Sequence, residues 1–117
     1  MAVRVVIVDD HEAFRISARK LLEQGGFAVV GEAGDGASGL ELVRSLEPEV
    51  VLLDVVLPDM SGFDLAEHLA NKPPKVVLVS SRERSDFGPR IDQCHATGFI
   101  SKDRLSNAVL RAMLEAA

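Results

Sequence analysis

The sequence predicts a doubly wound α/β fold, (βα)5, with five parallel strands in one sheet and helices on both faces. Three observations predict it. Short apolar runs with β-branched residues recur (Val5-Val6-Ile7-Val8, Val50-Val51-Leu52-Leu53, Val76-Val77-Leu78-Val79) and read as strands buried on both faces. Stretches with helical apolar spacing separate them. Polar residues close the runs: Asp9 and Asp10 the first, Asp54 the third, Ser80 the fourth, and Lys102 comes after Phe99-Ile100. In open parallel sheets, ligands bind outside the carboxyl ends of the strands.

Element by element, Glu12 to Gln24 reads as a helix with Phe14, Ala18, Leu21 and Leu22 on its apolar stripe. Gly25-Gly26 stops it. Phe27 to Glu32 is the second strand. Gly34-Asp35-Gly36 turns into a helix whose Leu40, Val43 and Leu46 face inward, and Pro48 lies just past its end. Pro58 and Gly62 bracket a loop before a helix running through Leu69. Pro73-Pro74 marks a turn, and Lys75 to Ser80 is the fourth strand. Gly88-Pro89 interrupts the stretch from Arg82 to Thr97, so only a short helix is expected there, starting near Pro89. Phe99-Ile100 is a brief fifth strand and Leu105 to Glu115 a closing helix. No linker or repeat stands out, so residues 1–117 read as one domain.

The 117 residues suffice for a core without disulfides. A formal charge of −5 with no Lys/Arg block argues against direct nucleic-acid binding. Neither Trp nor Tyr is present to stack bases. The single Cys94 cannot form an internal disulfide and reads as a small buried apolar residue. With no signal peptide and no long apolar stretch, the expected location is the cytoplasm, away from membranes.

Asp9, Asp10 and Asp54 crowd three negative charges, which is costly unless a cation compensates. Hard oxygen ligands select Mg²⁺ or a similar ion. Lys102 offers a point charge for a phosphoryl oxygen, and Ser80 a hydrogen bond. Carboxylates act as covalent nucleophiles toward phosphoryl groups, whose transfer needs chiefly positioning and charge neutralisation. Taken singly, each residue has a plain reading as a cap, turn or solvated side chain. Their placement at the ends of different strands favours function. His11 reads as a helix-start residue rather than a metal ligand, because Mg²⁺ prefers oxygen. His68 and His95 stand alone, and the basic residues of the first helix read as a solvated face.

A dinucleotide site is the formal rival. Gly34-Asp35-Gly36-Ala37-Ser38-Gly39 matches G-x-G-x-x-G, with Asp54 about 20 residues on. However, the motif comes after the second strand and leaves Asp9, Asp10, Ser80 and Lys102 unused. Its glycines read better as turn and packing residues.

Together, Asp9-Asp10, Asp54-Val55-Val56-Leu57-Pro58 with Gly62, Ser80, and Gly98-Phe99-Ile100-Ser101-Lys102 resemble the receiver domain of bacterial two-component response regulators. Val30-Gly31-Glu32-Ala33, Asp35-Gly36 and Lys102-Asp103 look closest to receivers attached to LuxR/NarL-type helix-turn-helix outputs. The resemblance implies a flavodoxin/CheY-like sheet and a signalling domain rather than an enzyme. By the same resemblance Asp54 accepts phosphate from a histidine kinase or a histidine phosphotransfer protein. Asp10, Asp54 and the Val56 backbone carbonyl ligate Mg²⁺, and Asp9 reaches it through water. Lys102 pairs with the phosphate, Ser80 shifts to hydrogen-bond it, and Phe99 swings inward. A DNA-binding output partner and a homodimer are expected on the same ground. No output domain is read within these residues.

Departures from the pattern are Asp103 where proline is frequent, Phe99 where tyrosine is frequent, and polar Ser81, a rival for the hydroxyl role. Ser85-Asp86-Phe87-Gly88-Pro89 stands where a regular fourth helix normally begins. That segment is expected to be mobile and to alter partner binding. A pseudo-receiver, with the fold but without phosphorylation, is the second alternative.

Overall fold

The computed structural model describes residues 2–69 and 73–116. Five strands alternate with helices: β1 (Arg4–Val8), α1 (Glu12–Gln24), β2 (Ala28–Ala33), α2 (Gly36–Leu46), β3 (Val50–Asp54), α3 (Gly62–His68), β4 (Lys75–Ser80), α4 (Arg90–Gln93), β5 (Gly98–Ser101) and α5 (Asn107–Ala116). The strands form one sheet in the order β2-β1-β3-β4-β5. Every neighbouring pair is parallel.

Alternation along the strands divides the core in two. Val5, Ile7, Val50, Leu52, Val77 and Val79 pack on one face with Ala18 and Leu22 of α1 and Leu110 of α5. Val6, Val8, Val51, Leu53 and Leu78 pack on the other with Val43 of α2, Phe63 and Leu65 of α3, and Ile91 of α4. Burial of each such side chain stabilises by about 1.5–3 kcal/mol, which explains why both faces of the strands are apolar. Among the described residues, no helix is long and apolar enough to cross a membrane.

Helix ends obey local chemistry. Asp35 caps α2 by accepting from Ser38 N–H at 2.7 Å, and Ser61 caps α3 by accepting from Asp64 N–H at 3.1 Å. Gly25 ends α1, and Gly26 takes a φ of 90°. The closing helix begins at Asn107 rather than Leu105. Lys102–Arg104 form a 3-10 turn first, and Ser106 Oγ then accepts from Val109 N–H at 3.1 Å. β2 likewise runs one residue further than expected, to Ala33. At the end of α2, Glu47 is held left-handed (φ 47°). A side chain pays roughly 1 kcal/mol there, so Glu47→Gly should raise stability by about that amount, read as a higher urea midpoint.

The segment after β4 is short and irregular, as expected. A 3-10 turn, Arg84–Phe87, is closed by a capping box between Glu83 and Asp86. Gly88 turns at φ 58° and Pro89 opens the four-residue α4. Phe87 is wedged between Phe63 and Phe99, with ring centroids 5.8 Å apart in both pairs. Arg84 pairs with Asp92. Cys94 is half-buried rather than buried, and its Sγ lies 3.0 Å from Ile91 O.

Candidate functional site: an acidic cleft between β1 and β3

β1 and β3 are neighbours at the centre of the sheet, and their connections leave toward opposite edges. This is the switch point, where a crevice opens outside the carboxyl ends. Asp9 and Asp10 emerge from β1 and Asp54 ends β3. Asp9 and Asp54 are buried, and Asp10 is more open.

Lys102 reaches across from the end of β5. Its Nζ lies 2.7 Å from Asp9 Oδ2 and 3.3 Å from Asp54 Oδ2, and it sits 4.5 Å from the centre of the Phe14 ring. The approach to Asp9 Oδ2 is out of hydrogen-bond alignment, so this fully buried oxygen accepts no hydrogen bond. Asp54 Oδ1 accepts from Val56 N–H at 3.2 Å. Burial pushes the Asp54 carboxyl above the ordinary carboxylate range, and the Asp9 charge pushes it further. The Val56 N–H and Lys102 pull the other way.

His11 bears out the helix-start part of its sequence reading. It stands at the start of α1, as the N-cap residue. Its ring also enters the cleft, with Nδ1 3.1 Å from Asp9 Oδ1, 3.2 Å from Asp10 Oδ1, 3.8 Å from Asp54 Oδ2 and 3.3 Å from Lys102 Nζ. One ligand atom from each of Asp9, Asp10, His11 and Asp54 lies within 4.8 Å of the others, a group able to hold a metal ion. Three carboxylates against one ammonium, with a buried oxygen left without a hydrogen bond, suit a small hard cation.

Ser80 is buried at the end of β4, and its Oγ accepts from Arg82 N–H at 3.1 Å. Its rival Ser81 is exposed. Phe99 is half-buried on β5 against Phe87. Val56 is exposed in the loop after β3, where it bridges to Ser61. That loop is tied down twice. Gly62 N–H donates to Val55 O at 2.6 Å. Asp59 accepts from Gly36 N–H at 2.7 Å and Ala37 N–H at 2.9 Å. The Gly36 bond, helped by the Ala37 bond, holds the Asp59 carboxyl below the ordinary range.

Asp59 also disposes of the dinucleotide reading. The N-terminus of α2, where a pyrophosphate would sit, is already occupied by this carboxylate. A Cβ on Gly36 would meet Met60 Cγ at 2.5 Å, and one on Gly39 would meet Val8 at 2.8 Å, so these glycines serve close packing. The first helix is less plainly solvated than its sequence suggests. Arg15 donates to Asp9 O, and both Arg15 and Arg19 pair with Glu32. Sequence reasoning misses His11, Asp59 and Phe87 as residues of the site. His11 alone offers a signal, its place directly after two acids.

The family described as the response regulator receiver domain matches residues 5–115. The chain belongs to this family. It is 38% identical over 118 residues to the transcriptional regulatory protein NarL of Mycobacterium tuberculosis, covering 98% of this chain and 55% of that protein. It is 38% identical over 103 residues to the response regulator GacA of Pseudomonas aeruginosa, covering 86% of this chain and 48% of GacA. The receiver domain thus spans about half the length of the curated relatives it matches. The solved signal receiver domain of M. tuberculosis NarL superposes with a TM-score of 0.85 at 37% identity, covering 98% of this chain and 95% of that one. The expected CheY-like fold and the resemblance to LuxR/NarL-type receivers are therefore borne out.

Proposed function

We propose that this receiver domain accepts a phosphoryl group on Asp54 from a phosphohistidine of a histidine kinase or a histidine phosphotransfer protein. An Asp54 carboxylate oxygen attacks phosphorus, the bond from phosphorus to the imidazole nitrogen breaks, and the nitrogen keeps the electron pair. The observation that carries this reading is the buried Asp54 carboxylate at the mouth of the sheet, with Lys102 Nζ 3.3 Å away and two further acids beside it.

Asp10, Asp54 and the Val56 carbonyl would hold Mg²⁺, with Asp9 reaching it through water. The ion would supply neutralisation of charge on the transferring phosphoryl oxygens. Lys102 neutralises a further oxygen and holds the group in place. Ser80 turns its hydroxyl to the phosphate, and Phe99 repacks toward the space released. This is a shift between two packings favoured by new contacts to phosphate. The output is a DNA-binding domain or protein, acting in the cytoplasm, with pairing of two receivers as a further step. The domain promotes only its own phosphorylation and dephosphorylation. Residues 1–117 form one receiver unit on this reading.

The test is intact mass after incubation with Mg²⁺ and acetyl phosphate, beside a known receiver. A single phosphoryl gain that disappears with chelator is expected. No gain while the control reacts would favour the pseudo-receiver reading.

A second expectation concerns Asp59, which anchors the Val56 loop to α2. Asp59→Asn keeps only one acceptor oxygen, so the loop loosens, and Mg²⁺ affinity should fall on the order of tenfold, as for other supports of a metal site. Calorimetric titration checks this, and unchanged affinity would remove Asp59 from the account. The lowered Asp59 carboxyl contributes stability above its unfolded value, which is lost as pH falls through its folded value.

A further inference from the structure

We propose that His11 is a nitrogen donor of the cation site and shifts its selectivity from Mg²⁺ toward imidazole-accepting divalent ions such as Mn²⁺ and Co²⁺. The inference rests on the receiver reading for the existence of the site, and adds to it a ligand that an all-oxygen set lacks.

The geometry points to His11 in three ways. First, Nδ1 converges with the acids on one point. In an octahedral shell with bonds of about 2.1 Å, adjacent ligand atoms lie about 3.0 Å apart. The Nδ1 separation from Asp10 Oδ1 is 3.2 Å, close to that spacing, and Asp9 Oδ1, whose carboxylate acts through water, lies 3.1 Å from the same nitrogen. Second, the ring hangs from a fixed backbone. His11 N–H donates to Asp9 Oδ1 at 2.8 Å, and His11 O accepts from Arg15 N–H at 3.1 Å in the first turn of α1. The donor therefore comes from a rigid helix start. Third, the Lys102 ammonium stands 3.3 Å from Nδ1, so a cationic group already lies beside the nitrogen through which the ring would bind an ion.

The chemistry then sets the preference. Mg²⁺ binds oxygen and gains little from imidazole, whereas affinity for nitrogen-containing sites rises along Mn²⁺, Co²⁺ and the later ions. The other two histidines are engaged elsewhere. His68 Nδ1 lies 2.9 Å from Asp64 O, and His95 Nδ1 pairs with Glu67.

Pulsed electron paramagnetic resonance on the Mn²⁺-loaded domain reads the donor directly. Nitrogen coupling is expected in the unaltered protein and in the His68→Ala/His95→Ala double variant, and should vanish in His11→Ala. In parallel titrations, His11→Ala should weaken Co²⁺ at least about tenfold more than Mg²⁺. His11 is 64% exposed and its side chain makes no cap bond, so the substitution should leave the fold intact, as thermal unfolding checks. Absence of nitrogen coupling, or equal weakening of both ions, would overturn the proposal while leaving the receiver reading in place. Failure of the unaltered domain to bind either ion would overturn both.

Discussion

Asp54→Asn is expected to abolish phosphoryl acceptance and, at neutral pH, to make the domain more stable. An amide is no nucleophile toward phosphorus, so the mass gain from acetyl phosphate should drop below detection. Stability moves the other way because of where Asp54 sits. Its folded pKa is raised, chiefly by burial and then by Asp9. A raised carboxylate contributes stability that is fully present below its unfolded value and is lost as pH rises through its folded value. Above that value the fold has given up this stability, a loss that the Asn does not incur. The variant should melt a few degrees higher at pH 7, and the gain should shrink as pH falls into the carboxylate range. Mg²⁺ should raise the melting temperature of the parent more than that of the variant. A variant that still gains one phosphoryl group would remove Asp54 from its role.

Gly62→Ala should be among the most disruptive single substitutions in the chain. A Cβ there would stand 2.2 Å from Asp54 O, 2.8 Å from Val55 Cα and 3.0 Å from Asp54 C. All three are backbone atoms at the end of β3, so no rotamer change relieves the clash. Overpacking usually costs about 1–3 kcal/mol, and a contact against fixed backbone belongs at or above the upper end. That is a large part of an ordinary domain's net stability, about 5–15 kcal/mol. Relief by moving the strand end would also displace Asp54 and the loop that carries Val56. Urea unfolding should show a loss of about 3 kcal/mol or more, and acetyl phosphate labelling should slow in the fraction that remains folded. A stability change under about 1 kcal/mol would show that the loop has room the structure does not display.

Most of the architecture was legible because it rests on local signals. β-Branched runs, helical spacing, and glycine or proline stops specify elements within a few residues of themselves. The helix over Glu12–Gln24 and the strand over Lys75–Ser80 match their expected bounds. The bounds of α5 were less legible, because the choice between Leu105 and Asn107 depends on a 3-10 turn and on the Ser106 hydroxyl. The short α4 could be read from Gly88-Pro89, whereas the wedging of Phe87 between Phe63 and Phe99 could not. In a 3-10 turn there is no periodicity to say which way a ring points.

The same division holds for the site. Which residues close the strands is a matter of order along the chain, and that order alone put Asp9, Asp10, Asp54, Ser80 and Lys102 at one end of a parallel sheet. Their separations were decided by the pairing of β1 with β3 and by the packing that brings Lys102 within 3.3 Å of Asp54, 48 residues away in sequence. The raised Asp54 carboxyl, the Asp59 clamp on α2 and the turn of His11 into the acids belong to tertiary structure for one reason. Charge interactions, desolvation and hydrogen bonds depend on distances of a few ångströms, and between residues far apart in sequence only the folded chain sets those distances.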